Sequence, residues 1–139
     1  MADYRKPLPV ADERSAPYWD GARHRQLMIQ RCSACGRWIH YPKATCPACG
    51  GTELRPMPVS GRGVVYTFTV SHYLGAPGFE DEVPYVVVLV ELEEQEGLRV
   101  VGNLRDCSRE QLHVGMPVEV LFEDVTPKVT LPQFRPRRA

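Results

Sequence analysis

Apolar and polar residues alternate in short runs along most of this chain. "GVVYTFTVSHY", "YVVVLVEL", "LRVVGNL", "PVEVLFE" and "KVTL" are each rich in Val, Tyr, Phe or Thr and bounded by turn residues. Five such strands at this spacing predict a small closed barrel. In the first run Val64, Tyr66, Phe68 and Val70 share one face, and Val65, Thr67 and Thr69 the other. The second run breaks the alternation: Val86, Val88 and Val90 are apolar, but so are Tyr85, Val87 and Leu89. One set must point out of the barrel and needs a cover, from the metal module or from another protein chain. Gly102, inside the third run, is expected to mark a bulge. Ser108 followed by Gln111 predicts a capping box on a one-turn helix before the fourth strand. An insertion at that point suits an OB-fold.

Residues 1–14 are polar and proline-bearing, and predict an extended arm. Ser15 is expected to cap a short helix running to about Arg25, with Pro17 tolerated in its first turn. Tyr18, Trp19 and Ala22 give that helix an apolar stripe. The stripe packs on its own domain, or Tyr18 and Trp19 anchor a partner. Gln26–Arg31 predicts a strand. The closing "TLPQFRPRRA" holds two prolines and a lone Phe134, and is expected to run extended across a surface. The predicted organisation is an arm and helix (1–25), a cysteine module (26–58), and a barrel with an extended tail (59–139).

The cysteine module changes the picture from fold to chemistry. "CSACGRWIHYPKATCPACG" carries two CxxC pairs, each followed by glycine. Cys32, Cys35, Cys46 and Cys49 supply the four soft ligands of a tetrahedral metal site. The two residues inside each pair let the turn aim backbone amides at its thiolates. Four cysteines leave no open coordination position, so the site is read as structural, with one zinc per chain. A rubredoxin-type iron centre remains the alternative. A thioredoxin-like pair would need a βαβ pattern, which is absent. His40 lies between the pairs and is expected to be exposed or supporting, because the cysteines complete the ligand set. Cys107 has no recognisable base beside it and reads as a small semi-buried thiol.

Composition narrows the class. An apolar fraction of 43% fits a soluble globular protein. No run of eighteen apolar residues is present, so no membrane span is expected. The N-terminus lacks an apolar signal region, which points to the cytoplasm, where disulfides are disfavoured. Net charge is zero but unevenly spread. Residues 1–62 hold 10 Lys/Arg and 5 Asp/Glu, and residues 63–139 hold 7 and 12.

With "YWDGARHRQLMIQRCSACG", "YPKATCPACG", "VSGRGVVYTFTVSH", "PYVVVLVEL", "GMPVEVLFED" and "LPQFRP" in view, the chain resembles a known family. These are the zinc-ribbon/OB-fold acyl-CoA-associated proteins, catalogued as domain of unknown function number thirty-five. The resemblance covers nearly the whole chain from Trp19. It implies a mainly β fold: a short N-terminal helix, a rubredoxin-like zinc ribbon and a five-stranded OB-fold barrel. It also implies a non-catalytic partner of CoA-ester enzymes: thiolase-like acyltransferases, aldolases, or MaoC-like enoyl-CoA hydratases. Such enzymes serve lipid, steroid side-chain or aromatic acyl-CoA metabolism, and a two-plus-two hetero-oligomer follows from their usual dimeric state.

An adenine–phosphate handle calls for a few cations and a flat apolar surface. Arg37, Lys43 and Arg62 are candidates for the charge, and Tyr41 and Tyr66 for stacking. Tyr18, Trp19, Tyr85, Val87 and Phe134 are candidate partner contacts. Two other functions compete. A single-stranded nucleic-acid module needs a basic OB groove, and here the barrel half carries a balance of −5. A small electron carrier would hold iron in the four-cysteine site.

Overall fold

Eight strands and one helix build two antiparallel sheets in the computed structural model, which describes residues 4–138. Residues 1–3 of the expected arm and Ala139 of the expected tail lie outside that range. The helix, α1 (Ala16–Arg23), admits Pro17 because the first helical turn has backbone donors without intrahelical partners. Its expected cap differs. The Ser15 side chain makes no cap bond. The Ser15 hydroxyl accepts the Asp12 amide at 3.0 Å, and the Asp12 carboxylate accepts the Ser15 amide at 2.8 Å. The reciprocal pair therefore sits in the turn that leads into the helix. Arg25, at φ 62°, ends the helical path and pairs with Asp124.

The first sheet joins β1 (Leu27–Cys32), β2 (Trp38–Ile39) and β3 (Leu54–Val59) in the order β2-β1-β3. Of these only β1 was legible as a strand. The second joins β4 (Arg62–Ser71), β5 (Tyr85–Leu92), β6 (Arg99–Asn103), β7 (Pro117–Asp124) and β8 (Thr130–Pro136) in the order β6-β5-β4-β7-β8. Its edges meet where the Arg105 amide donates to the Phe134 carbonyl at 2.8 Å and Leu104 bridges Phe134. The result is a nearly closed five-stranded barrel.

Five expectations change. The tail does not run across a surface: Thr130–Pro136 is strand β8, paired along its length with β7. Phe134 is consequently no partner contact, because its ring has no exposure and fills the barrel core. The bulge lies not at Gly102 but between Val65 and Thr67 on β4, while β5 and β6 pair without a register shift. Gly102 is small for another reason. A Cβ there would come within 3.1 Å of the Phe134 ring and 3.3 Å of the Gln133 amide oxygen. The bulge also splits the predicted four-residue face of β4. Val65 points inward with no exposure, Val64 and Tyr66 point outward, and Phe68 and Val70 resume partial burial beyond it. Finally, Ser108 and Gln111 do exchange their capping bonds, but around a turn, not a helix.

The inner row of β5 is Val88, Val90 and Leu92; its outer residues Tyr85, Val87 and Leu89 are only half-buried. Leu27, Ile29 and Trp38 from the ribbon belong to the same apolar cluster as Val65, Val100, Val118 and Phe134. Ribbon and barrel therefore share one core, each fully buried aliphatic side chain contributing on the order of 2 kcal/mol. The Gln95 side chain, in the β5–β6 turn, accepts from the Trp38 amide and donates to the Trp38 carbonyl, both at 2.9 Å. It thus pairs with β2 as a neighbouring strand would. No helix among the described residues is long and apolar enough to cross a membrane.

Candidate functional site

The two CxxC turns converge. The Sγ atoms of Cys32, Cys35, Cys46 and Cys49 all lie within 4.8 Å of one another. The Cys32–Cys49 and Cys35–Cys46 separations are 3.6 and 3.7 Å. A tetrahedron with metal–sulfur bonds of about 2.3 Å has edges of about 3.8 Å, so the cluster fits one four-coordinate metal. The turns aim amides at the sulfurs as their spacing predicts. The Cys35 and Ala34 amides pull the Cys32 thiol below its ordinary pKa. The Cys49 and Ala48 amides bring Cys46 down to about 7. Gly36 and Gly50, at φ 79° and 76°, let each turn fold back so that its amide donates to the carbonyl of the first cysteine, at 2.8 and 2.9 Å. Cys32 and Cys46 are buried, and Cys35 and Cys49 face outward.

Between the knuckles the chain passes through β2 and presents His40, Tyr41, Pro42 and Lys43. The Gln30 side chain pins this loop to β1, accepting the Lys43 amide at 2.8 Å and donating to the Lys43 carbonyl at 2.9 Å. His40 stacks on Tyr18 of α1 at 5.4 Å and lies 4.5 Å from the Tyr41 ring. Trp19 meets Tyr18 edge-on at 5.0 Å. These rings, with Pro42 and Val101 of β6, line an apolar cleft of about 240 Å³. A second, smaller groove of about 100 Å³ lies between the ribbon and the β5–β6 turn, with Arg37, Lys43 and Gln95 on its walls. His40 borders both.

Burial sets the chemistry of the aromatic cleft. It holds His40 down to about 4, so the imidazole is neutral at neutral pH. Its Nδ1 is buried without a hydrogen-bond partner. Burial, with Tyr41 adding, pushes the Tyr18 phenol well above its ordinary range. Tyr41 itself is 63% exposed and so presents an open ring face.

Arg37, Tyr41 and Lys43 are thus brought to one region of the surface, around His40, which was expected to be exposed or supporting and is instead half-buried against Tyr18 and Tyr41. Arg62 and Tyr66 are not. Arg62 is paired with Glu93 at 2.9 Å. The Arg99 guanidinium covers the Tyr66 ring at 3.7 Å. Among the candidate partner contacts, Tyr18 and Trp19 line the aromatic cleft. The Tyr85 ring lies tilted against Phe79 at 4.7 Å, and Val87 stays half-buried on the outer barrel face. Gln95 and Val101 were missed. No local motif marks them, because their role comes from where the β5–β6 hairpin meets the ribbon.

Two family models match the chain. Residues 19–55 match the ChsH2 rubredoxin-like zinc ribbon domain, and residues 57–123 the ChsH2 C-terminal OB-fold domain. A "Probable enoyl-CoA hydratase alpha subunit" of Thermomonospora curvata is 40% identical over 94% of this chain and 40% of its own length. A DUF35 domain-containing scaffold protein of Methanocaldococcus jannaschii is 37% identical over 84% of this chain and 82% of its own. The benzoylsuccinyl-CoA thiolase subunit BbsA of Thauera aromatica is 35% identical over 68% and 56%. The chain thus spans less than two thirds of the hydratase and thiolase subunits. A solved chain described as "Ltp2-ChsH2(DUF35) aldolase" superposes with a TM-score of 0.83 at 40% identity, covering 93% of this chain and 98% of that one.

Proposed function

The chain belongs to the ChsH2 family of linked zinc-ribbon and OB-fold domains (DUF35), and from that premise we propose that it is a non-catalytic, cytoplasmic subunit of a CoA-thioester enzyme. It docks on a thiolase-like, aldolase or MaoC-like hydratase partner and helps to hold the CoA moiety. The metal is zinc, one per chain, and structural: four thiolates leave no coordination position for substrate or water. Bound zinc supplies only a rigid crosslink; every ligand contact comes from side chains. The identity of relatives as hydratase, thiolase and aldolase components supports the partner class. Two copies on a partner dimer, in lipid, steroid side-chain or aromatic acyl-CoA turnover, complete the reading.

The observation that carries the ligand assignment is the pairing of two unlike walls around His40. On one side Arg37 and Lys43 offer positive charge to phosphate. On the other Tyr41, Tyr18 and Trp19 offer flat apolar surface to adenine. An OB groove for nucleic acid fits less well, because the barrel half carries a balance of −5 and Arg99 already covers one face of the Tyr66 ring on β4.

Calorimetric titration with acetyl-CoA, on the chain in complex with the partner with which it co-purifies, tests this. Replacing Arg37 and Lys43 together with alanine is expected to weaken binding about ten- to a hundredfold, the scale of one charge-assisted hydrogen bond. Affinity and complex activity that both stay at wild-type values overturn the placement. Turnover of the thioester by the isolated, pure chain overturns the non-catalytic role.

A further inference from the structure

The N-terminal arm and the β4–β5 loop carry opposite charge: "YRK" at 4–6 and "FEDE" at 79–82. We propose that residues 4–6 are a strap that holds this loop in place, a basic segment of the chain seated in an acidic, aromatic groove of its own barrel. The inference stands apart from the CoA reading, since none of these residues borders the His40 clefts.

Four contacts define the seat. Arg5 pairs with Asp81 at 3.1 Å, and Lys6 pairs with Glu82. The Lys6 ammonium also lies 4.7 Å from the centre of the Phe79 ring, which lies tilted against Tyr85 of β5. Arg105 links the loop to the barrel, reaching Glu82 at 3.9 Å and Glu123 of β7 at 3.1 Å. Backbone meets backbone at Gly78: a Cβ there would lie 2.6 Å from the Lys6 nitrogen and 2.7 Å from the Arg5 carbonyl carbon. The Lys6 side chain is only 12% exposed, so this is a seated group and not a loose surface charge.

The loop has little else to hold it. Its internal backbone bonds at this end are Phe79 to Ala76 and Glu82 to Phe79. Its other end presents Tyr73 and Leu74, 67% and 63% exposed. With the arm seated, Phe79 lies between Lys6 and Tyr85, and Asp81 and Glu82 are paired. With the arm lifted, Asp81 loses its counter-ion, Glu82 keeps only distant Arg105, and the ring loses one face. The arm therefore sets the order of the segment that offers Tyr73 and Leu74 to the outside. Because the seat is ionic and close to solvent, salt weakens it.

Hydrogen exchange on the full chain tests the strap, comparing wild type, Lys6→Glu and Lys6→Arg at low salt and in 1 M NaCl. Lys6→Glu is expected to speed amide exchange across 76–82 by about three- to tenfold, the range for losing one or two ion pairs of this kind. High salt should do the same to the wild type and nothing further to Lys6→Glu, and Lys6→Arg should keep the protection. Exchange across 76–82 that ignores both Lys6→Glu and salt overturns the strap. So does an equal acceleration in β5 and β7, which would report global loosening in place of a local latch.

Discussion

The ribbon and the barrel are both small β structures, yet they are stabilised in different ways. The ribbon's own buried cluster is Cys32, Ile39 and Cys46, with Leu54 packed beside it, so two of its three buried members are metal ligands. Most of β3 faces solvent. The barrel has a contiguous apolar interior, with Val65, Val88, Val90, Val118 and Phe134 all without exposure. A module of about thirty residues encloses too little apolar surface to offset its conformational entropy, and a crosslinking metal makes up the difference. A closed sheet of five strands does not need one. What joins the two is the shared core through Leu27, Ile29 and Trp38, and the Gln95 clamp.

The largest effect is expected from Cys46→Ser. Structural zinc is worth on the order of 10 kcal/mol to small fingers, so the ribbon should lose both metal and protected amides in β1 and β3. The barrel strands β4, β5 and β7 should stay protected. Metal analysis with hydrogen exchange decides it, and a mutant that keeps one metal and an intact ribbon contradicts the comparison. The matching cut in the barrel is Phe134→Ala. Removing a fully buried ring should cost about 3–5 kcal/mol in denaturant unfolding, with the metal still bound in the folded fraction.

Acidification probes the seam between α1 and the ribbon. His40 has its pKa depressed to about 4 by burial, against about 6.5 when unfolded. Between those values the unfolded chain binds more protons, so stability is full above about pH 6.5 and falls as pH drops toward 4. The loss is on the order of 3 kcal/mol at most. His40→Phe should flatten that part of the profile relative to wild type, and superimposable profiles would refute it. The smallest effect is expected from Gln95→Ala. Without its side chain the amide and carbonyl of the largely buried Trp38 lose their partners, a cost of about 1–3 kcal/mol. A linker role predicts that ribbon amides lose more protection than barrel amides, and uniform loss would rule it out.

The metal site and the inner strands were legible because each is a local pattern. Two CxxC pairs at this separation specify two metal knuckles, and short β-branched and aromatic runs bounded by turn residues mark β4, β5, β6 and β7 as strands in any sheet. The two-residue β2 and all of β3 escaped notice, and of β8 only its start, within "KVTL", was read as strand. β3 and the unread part of β8 share one property. β3 contains Pro56 and Pro58, and β8 contains Pro132 and Pro136, and both lie at the edge of their sheets. Proline cannot donate to a ladder, so it argues against a strand unless that strand has only one neighbour. Edge position is a property of the assembled sheet, and nothing within ten residues announces it. Phe134 was misplaced for the same reason.

The amino-acid order alone therefore determined a four-thiolate crosslink, a set of short strands and an apolar excess on β5, because those depend on spacing and period. Tertiary structure decided which way each strand faced, since a single bulge between Val65 and Thr67 reverses the inward set. It also decided that Phe134 closes the barrel at Gly102, and that Arg37, Tyr41 and Lys43 gather at His40 while Arg62 and Tyr66 are taken by Glu93 and Arg99. Those outcomes rest on contacts between segments distant in sequence, whose side chains meet only once both sheets have formed around one core.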